Sequence, residues 1–201
     1  MFTGIITHTG TVAGKTRTTL AVRAERDILR SLKKGGSIAV DGVCLTVIKK
    51  TANSFSADVM TETSESTNLS SLTAGSVVNL ELPATPGTFL SGHIVQGHVD
   101  GVGVVKTIRK GGAQTTLSIA VPKRLSRYIV SKGSITVNGV SLTVIGAKAS
   151  GFSVGIIPHT WKHTMFYTLK SGTSVNIEVD ILARYAEKLL SNSRELENRC
   201  I

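Results

Sequence analysis

Residues 36–48 read GSIAVDGVCLTVI, and residues 133–145 read GSITVNGVSLTVI. The second stretch follows the first after about 97 positions, and only a few letters differ between them. The match continues without a gap beyond these stretches, so that Thr63 falls on Thr160. Two repeats of this length can each close a core of their own. The sequence therefore predicts two related domains, and two domains of one design are suited to holding two copies of one ligand.

The pattern within each repeat is typical of short strands. Segments rich in Val, Ile, Leu and Thr, the first of them over Thr3 to Val12, alternate with glycine and Asx turns. The pairs Asp41-Gly42 and Asn138-Gly139 favour tight turns between adjacent strands. Six such strands per repeat, with only small helices between them, predict an all-β fold of two tandem six-stranded antiparallel Greek-key barrels.

The ends of the two repeats set the predicted domain boundaries. A proline-containing segment from Leu82 to Gly87 is predicted to be a linker, which gives barrels over 1–87 and 88–180. After Asp180 the apolar residues follow a helical period, which predicts a C-terminal helix over 181–201. Its apolar stripe is expected to pack on another subunit, with docking on its own barrel as the alternative; the stripe consists of Ile181, Leu182, Tyr185, Leu189 and Leu196.

Composition excludes several classes of protein. No apolar run approaches the roughly 18 residues that span a bilayer, and residues 1–6 have no features of a secretory signal. We therefore expect no membrane partner and a cytoplasmic location. The net charge of +10 suggests nucleic-acid binding, but basic residues are spread along the chain and only 4% of residues are aromatic. A basic solvated surface, with no nucleic-acid partner, is the prediction.

Strand parity separates two kinds of side chain in each repeat. In the first repeat Val43, Leu45 and Val47 share one face, and Cys44 and Thr46 share the other. The second repeat has Ser141 and Thr143 at the corresponding positions. Small polar groups suit either water or a ligand, but cysteine is rarely exposed. The pattern thus favours a pocket beside each polar strand face.

The segment SGHIVQGHVDGVG at 91–103 contains a histidine that the first repeat lacks. When Gly101 is placed on Gly4, the segment leads into the second barrel as the N-terminus leads into the first. His93 then has no counterpart, because its match would precede Met1. A histidine titrates near neutral pH, so His93 is a candidate for proton transfer, with a structural role as the alternative. His159 and His163 lack a third ligand at metal-site spacing, and no metal site is predicted.

Taken in order, the motifs resemble those of the riboflavin synthase family of the alpha-chain type. They are MFTGII at 1–6, GVCLTV at 42–47 and GVSLTV at 139–144, TNL at 67–69, SGHIVQGHVDG at 91–101, IPHT at 157–160 and VNIEVD at 175–180. The resemblance implies two six-stranded barrels and a homotrimer assembled by the C-terminal helix. It also implies a dismutation in which two molecules of 6,7-dimethyl-8-ribityllumazine give riboflavin and 5-amino-6-(D-ribitylamino)uracil by four-carbon transfer.

Further expectations come with the resemblance. No metal or redox cofactor takes part, and the productive site lies between the N-terminal barrel of one subunit and the C-terminal barrel of its neighbour. An association with lumazine synthase stays open. The main alternative is a lumazine-binding or flavin-binding chromophore carrier of the same ancestry, without turnover. Both polar strand faces and His93 are present here, which favours the enzyme.

The family's site residues are carried over position by position. The first pocket would comprise Gly4, Ile5, Ile6, Cys44, Leu45, Thr46, Asp58, Val59, Met60, Thr61, Glu62 and Thr63. The second would comprise Gly101, Val102, Ser141, Leu142, Thr143, Gly155, Ile156, Ile157, Pro158, His159 and Thr160. The shared site would add Gly92, His93, Ile94 and Lys132, and Phe2 would help to close it.

Catalytic roles follow from the same resemblance. His93 is the candidate for proton transfer at the substrate's ring methyl group. Ser141 or Cys44, together with Thr143 and Thr46, would bind or activate at the ring carbon under attack, and Asp180 would help to position groups.

Overall fold

The computed structural model describes residues 1–197, with side chains described through residue 191. Residues 198–201 of the predicted helical segment, and the side chain of Leu196, lie outside the described part. Within residues 1–197, no helix is long and apolar enough to cross a membrane.

Barrel 1 is a closed ring of six strands with three short helical segments. Its elements are β1 (His8–Lys15), β2 (Thr19–Arg23), α1 (Arg26–Ser31), β3 (Ser37–Val40), β4 (Val43–Lys50), β5 (Ser54–Asp58), α2 (Thr61–Ser66), a 3₁₀ helix (Asn68–Ser71) and β6 (Val77–Glu81). The ring order is β1-β2-β5-β4-β3-β6, and every pair is antiparallel.

Barrel 2 repeats this plan and is followed by a helix. Its elements are β7 (Gly101–Lys110), β8 (Thr115–Ala120), α3 (Lys123–Ser126), β9 (Ser134–Val137), β10 (Val140–Lys148), β11 (Gly151–Ile156), α4 (Pro158–His163), a 3₁₀ helix (Met165–Thr168) and β12 (Ser174–Val179). The ring closes in the corresponding order, β7-β8-β11-β10-β9-β12. The predicted pair of six-stranded antiparallel barrels is confirmed. The C-terminal helix α5 spans Ile181–Glu197.

Alternation along the strands builds the two cores. In β4 the side chains of Val43, Leu45 and Val47 are buried, whereas Cys44 is half-buried and Thr46 is exposed. The burial pattern of β10 is the same around Ser141. The predicted parity is therefore confirmed, and each barrel presents a small polar strand face outside its apolar core.

The two barrels meet through their tight turns. A Cβ atom on Gly42 would lie 2.6 Å from the backbone nitrogen of Gly139, so only glycine permits this approach of the two backbones. Side-chain amides tie the turns together, because Asn79 Nδ2 donates to the Asn138 carbonyl (2.9 Å) and Asn176 Nδ2 donates to the Asp41 carbonyl (2.9 Å). The near-symmetric turns thus fix the barrels against each other.

The predicted first strand is wrong at its start, because β1 begins at His8 and not at Thr3. The residues before this strand form a segment that lies outside barrel 1, named leader 1 (residues 2–6). Its counterpart before β7 is leader 2 (residues 95–99). The two leaders join through an isolated antiparallel bridge, in which Phe2 N donates to Val95 O (2.7 Å) and Val95 N donates to Phe2 O (3.1 Å).

Candidate functional site

Each leader covers the polar strand face of the opposite barrel. Leader 1 reaches barrel 2, where Ser141 N donates to the Gly4 carbonyl at 2.8 Å. Leader 2 reaches barrel 1, where Cys44 N donates to the Gly97 carbonyl at 2.9 Å. The crossing also involves apolar side chains, because Ile6 packs against the core of barrel 2 and Val99 packs against the core of barrel 1.

This crossing corrects the grouping of predicted pocket residues. The sequence predicts Gly4, Ile5 and Ile6 in the first pocket, but the Gly4 carbonyl accepts from Ser141 N and Ile6 packs on the core of the second barrel. Repeat symmetry predicts Gly101 and Val102 in the second pocket, but they begin strand β7.

The strand register gives the true correspondence. Thr9 pairs with Asn79 in barrel 1, and Val102 pairs with Asn176 in barrel 2. Because Asn79 and Asn176 are equivalent, Gly97 and not Gly101 corresponds to Gly4. The repeat register shifts at the first hairpin, which is longer in barrel 2: Lys15 pairs with Leu20, whereas the corresponding strand residue Ile108 pairs with Leu117.

His93 and Ser141 form the most distinctive pair of the site. The His93 Nδ1 atom lies 2.8 Å from Ser141 Oγ, and the His93 side chain is 8% exposed. Backbone contacts hold the histidine, since His93 N donates to the Thr3 carbonyl at 3.2 Å. Within the described residues, His93 Nε2 is the one buried side-chain nitrogen or oxygen without a hydrogen-bond partner. An unpaired buried nitrogen is costly, so Nε2 is suited to a hydrogen bond with a polar group of a ligand.

The surroundings of His93 favour its neutral form. Burial lowers the pKa of His93, and the negative charge of Asp180 opposes part of that shift. Asp180 also begins helix α5, because its Oδ1 accepts from Leu182 N at 3.0 Å. A neutral imidazole with one free nitrogen can accept a proton, so the geometry is suited to general base chemistry.

The corresponding position in barrel 1 is arranged differently. Cys44 packs against a small buried cluster of Phe2, Ala39 and Val95. Phe2 of leader 1 is fully buried there, at the bridge to Val95 of leader 2. The leader residue that follows Gly97 is His98, which is exposed and corresponds to Ile5. Sequence reasoning missed Gly97 and His98, although the glycine shared by the two leaders was a usable signal.

The other predicted residues lie around the two polar faces. Thr46 pairs with Asp58, which brings the run 58–63 and the start of α2 beside β4. In barrel 2, helix α4 carries Pro158, His159 and Thr160, and Ile157 directly precedes it. Leu45, Leu142 and Ile156 point into the cores, so only their backbone reaches the site. The remaining predicted residues differ in exposure. Gly92 and Gly155 are half-buried, whereas the exposed ones include Met60, Ile94, Ile157 and Lys132.

Well-formed cavities lie elsewhere. A cavity of about 420 Å³ in barrel 2 is lined by Lys106, Ala120 and Lys148, among others, and by none of the predicted residues. A second space of about 700 Å³ lies between barrel 2 and α5, and both His98 and Tyr185 line it. Neither cavity is lined by Cys44 or Ser141, which the leaders cover, whereas Thr46 and Thr143 of the two polar faces are exposed.

Helix α5 docks on its own barrel by charged side chains. Arg184 Nη1 lies 3.1 Å from Asp100 Oδ1, and Arg127 Nη1 lies 2.9 Å from Glu187 Oε1. The Tyr128 hydroxyl also donates to the Glu187 carboxylate. Apolar residues of the helix stay exposed, and they include Leu182, Tyr185, Leu189 and Leu190. Polar contacts thus hold the helix on barrel 2, which is the predicted alternative, while packing of its exposed apolar side on another subunit stays a prediction.

Two groups of surface side chains bear on metal binding. The rings of His159 and His163 stack with centroids 4.2 Å apart, and His163 Nδ1 donates to the His159 carbonyl. On barrel 1, His8, Glu25 and Asp27 lie close enough to share a cation. His8 Nε2 is already 2.8 Å from Asp27 Oδ2, which accounts for this contact as an ion pair.

Comparison with known proteins gives a consistent result. A family model described as the lumazine binding domain matches the chain twice, at residues 3–83 and 96–180. The chain is similar to riboflavin synthase of Photobacterium phosphoreum, with 44% identity over 194 residues that span 94% of this chain and 89% of the relative. It is also 39% identical to riboflavin synthase of Bacillus subtilis over 199 residues, which span 97% and 92% of the two chains.

The solved structures of LumP share the fold. LumP complexed with 6,7-dimethyl-8-(1'-D-ribityl) lumazine matches with a TM-score of 0.80 and 26% sequence identity. LumP complexed with riboflavin matches with a TM-score of 0.83 and 27% identity. Each alignment covers 89% of this chain and 99% of LumP.

Proposed function

The chain belongs to the riboflavin synthase family of lumazine-binding transferases, and from this we propose that it catalyses the dismutation of 6,7-dimethyl-8-ribityllumazine. One substrate molecule receives a four-carbon unit and becomes riboflavin. The other loses that unit and becomes 5-amino-6-(D-ribitylamino)uracil. The observation that carries the proposal is the pairing of two equivalent polar strand faces, each covered by a leader, with a single unmatched histidine.

For this reaction the protein has to position two substrate molecules and transfer protons. The methyl group on ring carbon 7 is acidic, because its anion delocalises into the electron-poor ring system. The resulting carbanion of one molecule attacks the ring of the other, and all atoms of the products come from the two substrates. Holding two rings face to face replaces a bimolecular encounter, which can supply about 7–11 kcal/mol of the barrier.

We assign the proton transfer to His93. Its neutral ring and unpaired Nε2 are suited to accept the methyl proton, and the hydrogen bond between Nδ1 and Ser141 Oγ fixes the ring orientation. Ser141 and Thr143 face the ring carbon under attack in barrel 2, and Cys44 and Thr46 take the same place in barrel 1. Asp180 raises the basicity of His93 through its charge.

Assembly completes the site in this proposal. Thr46 and Thr143 of the two polar faces are exposed in a single chain, and helix α5 presents an exposed apolar side next to barrel 2. A homotrimer built through α5 brings barrel 1 of one subunit against barrel 2 of its neighbour, so that the two bound rings meet. An association with lumazine synthase stays a prediction.

A chromophore carrier is the second candidate. The structural similarity to LumP in its lumazine and riboflavin complexes favours it. Binding stoichiometry distinguishes the two functions: the enzyme requires two lumazine molecules per chain, one for each polar face. Equilibrium dialysis against a non-reacting ribityllumazine analogue should therefore saturate at two equivalents. Saturation at one equivalent would support the carrier.

A further inference from the structure

Glu81 is a buried carboxylate at the end of strand β6 that binds leader 1. It is 5% exposed, and its Oε1 accepts from Thr3 N (2.7 Å) and from Thr3 Oγ1 (2.8 Å). Its Oε2 accepts from Gly4 N at 3.1 Å. Both carboxylate oxygens are thus occupied by one short segment of backbone and side chain.

Glu178 makes the equivalent backbone contacts in barrel 2. It is 4% exposed and lies on β12, at the repeat position of Glu81. Its Oε1 accepts from Gln96 N at 2.7 Å, and its Oε2 accepts from Gly97 N at 3.0 Å. Leader 2 is therefore held as leader 1 is held.

Each leader is held by one barrel and contacts the polar face of the other. Glu81 belongs to barrel 1, but the glycine it holds accepts the hydrogen bond from Ser141 of barrel 2. Glu178 belongs to barrel 2, but the glycine it holds accepts the hydrogen bond from Cys44 of barrel 1. The carboxylates of both barrels are thus connected to the site of the opposite barrel.

We propose that Glu81 is the positioning residue for Ser141 and His93, and that Glu178 is the positioning residue for Cys44. Each polar site is then set by a carboxylate of the other barrel in the same chain. This inference deepens the proposed function, and its structural part does not depend on turnover.

The chemistry requires a carboxylate at both positions. In the ionised form, which Glu178 holds above its raised pKa of about 7, a carboxylate only accepts, so both of its oxygens can receive backbone N–H groups. A glutamine of the same shape places an NH₂ group against one of those N–H donors, which leaves a buried donor unsatisfied. Glu81→Gln and Glu178→Gln should therefore loosen their leaders without removing side-chain volume.

Two local probes read the two sites separately. In a Cys200→Ser background, Cys44 is the remaining cysteine of the chain, and its reaction rate with a thiol reagent reports on leader 2. The titration of His93, followed by NMR of labelled imidazole carbons, reports on leader 1. Glu65→Gln, an exposed glutamate on α2, is the matched control.

The expected result is a crossed pattern. Glu178→Gln should raise the Cys44 labelling rate about fivefold or more through easier local opening, and Glu81→Gln should change it less than about twofold. Glu81→Gln should move the pKa of His93 toward its ordinary value as water enters, and Glu178→Gln should leave it in place. Both variants should lower kcat more than they raise KM, and Glu65→Gln should match the parent chain in every readout.

Contrary results are equally clear. Folded variants that each affect only the site of their own barrel, or neither site, would overturn the proposal. If Glu81→Gln does not fold, Thr3→Val removes one of the three bonds to Glu81 and should still shift His93 without affecting Cys44. A crossed pattern in a chain that makes no riboflavin would retain this inference and reject the proposed enzyme.

Discussion

Asp41 and Asn138 occupy the same position of the two repeats and meet across the barrel interface through one shared amide. Asn68 Nδ2 lies 3.4 Å from Asp41 Oδ2 and 3.3 Å from Asn138 Oδ1. Asp41 is fully buried, and burial raises the pKa of its carboxyl to about 7. The chain thus carries a titratable group in one turn and its uncharged equivalent in the other.

This asymmetry predicts a pH-dependent stability. A carboxyl whose pKa is raised in the folded state binds its proton more tightly there than in the unfolded chain. Its stabilising contribution is present below the unfolded pKa of 3.8 and is lost as the pH rises through about 7. Between about pH 5.5 and pH 8, Asp41 should reduce the unfolding free energy by on the order of 2 kcal/mol.

Asp41→Asn, which copies the second repeat, should make the unfolding free energy depend less steeply on pH. Denaturant unfolding at fixed protein concentration measures this slope. Glu178, whose pKa burial also raises to about 7, should contribute to the slope that remains. An unchanged slope in Asp41→Asn would show that Asp41 does not titrate in this range.

Gly97→Ala should damage the barrel 1 site. Gly97 has a φ of 80°, which disfavours residues with a side chain, and a Cβ atom there would lie 2.7 Å from Cys44 Cβ. We expect a loss of about 1–3 kcal/mol in unfolding free energy from the strained backbone and the clash. Gly112→Ala is the control, because nothing lies within 4 Å of its added Cβ. Equal melting temperatures for the two variants would contradict the leader packing.

His93→Gln should separate turnover from binding. Loss of a general base should lower kcat by about 10²–10⁴-fold, whereas ligand affinity should change far less. Steady-state kinetics and equilibrium binding measure the two effects. His8→Gln, at an ion pair on barrel 1, is the control and should keep the parent kcat. Full turnover in His93→Gln would return His93 to a structural role.

The exposed side of α5 should control assembly. Leu182→Ser combined with Tyr185→Ser removes apolar surface from the helix while leaving its ion pairs to barrel 2 intact. We expect smaller assemblies in light scattering, because subunit association through this face loses its hydrophobic contribution. Ala186→Ser, an exposed position on the same helix, should not change the mass. An unchanged mass in the double variant would rule out α5 as the trimer interface.

The local part of the fold could be predicted from sequence. Alternation around Cys44 and Ser141 is a property of a few adjacent residues, and the Asp41-Gly42 and Asn138-Gly139 turns have a strong local preference. Both predictions are confirmed by burial and strand pairing.

The crossing of the leaders could not be predicted, for a physical reason. Which barrel a leader covers depends on tertiary contacts such as Gly4 with Ser141, and no local pattern encodes them. The placement of Gly101 on Gly4 failed because the longer hairpin in barrel 2 shifts the register upstream of β8. The buried pairing of Glu81 and Glu178 with the leaders likewise appears only in three dimensions.

Product formation from a single substrate tests the central claim most directly. The purified chain is incubated with 6,7-dimethyl-8-ribityllumazine alone, and both products are quantified by chromatography. Four-carbon transfer between two identical molecules predicts riboflavin and 5-amino-6-(D-ribitylamino)uracil in equal amounts, with two substrates consumed for each riboflavin formed. Tight binding of the lumazine with no riboflavin formed would contradict the enzyme and identify a carrier.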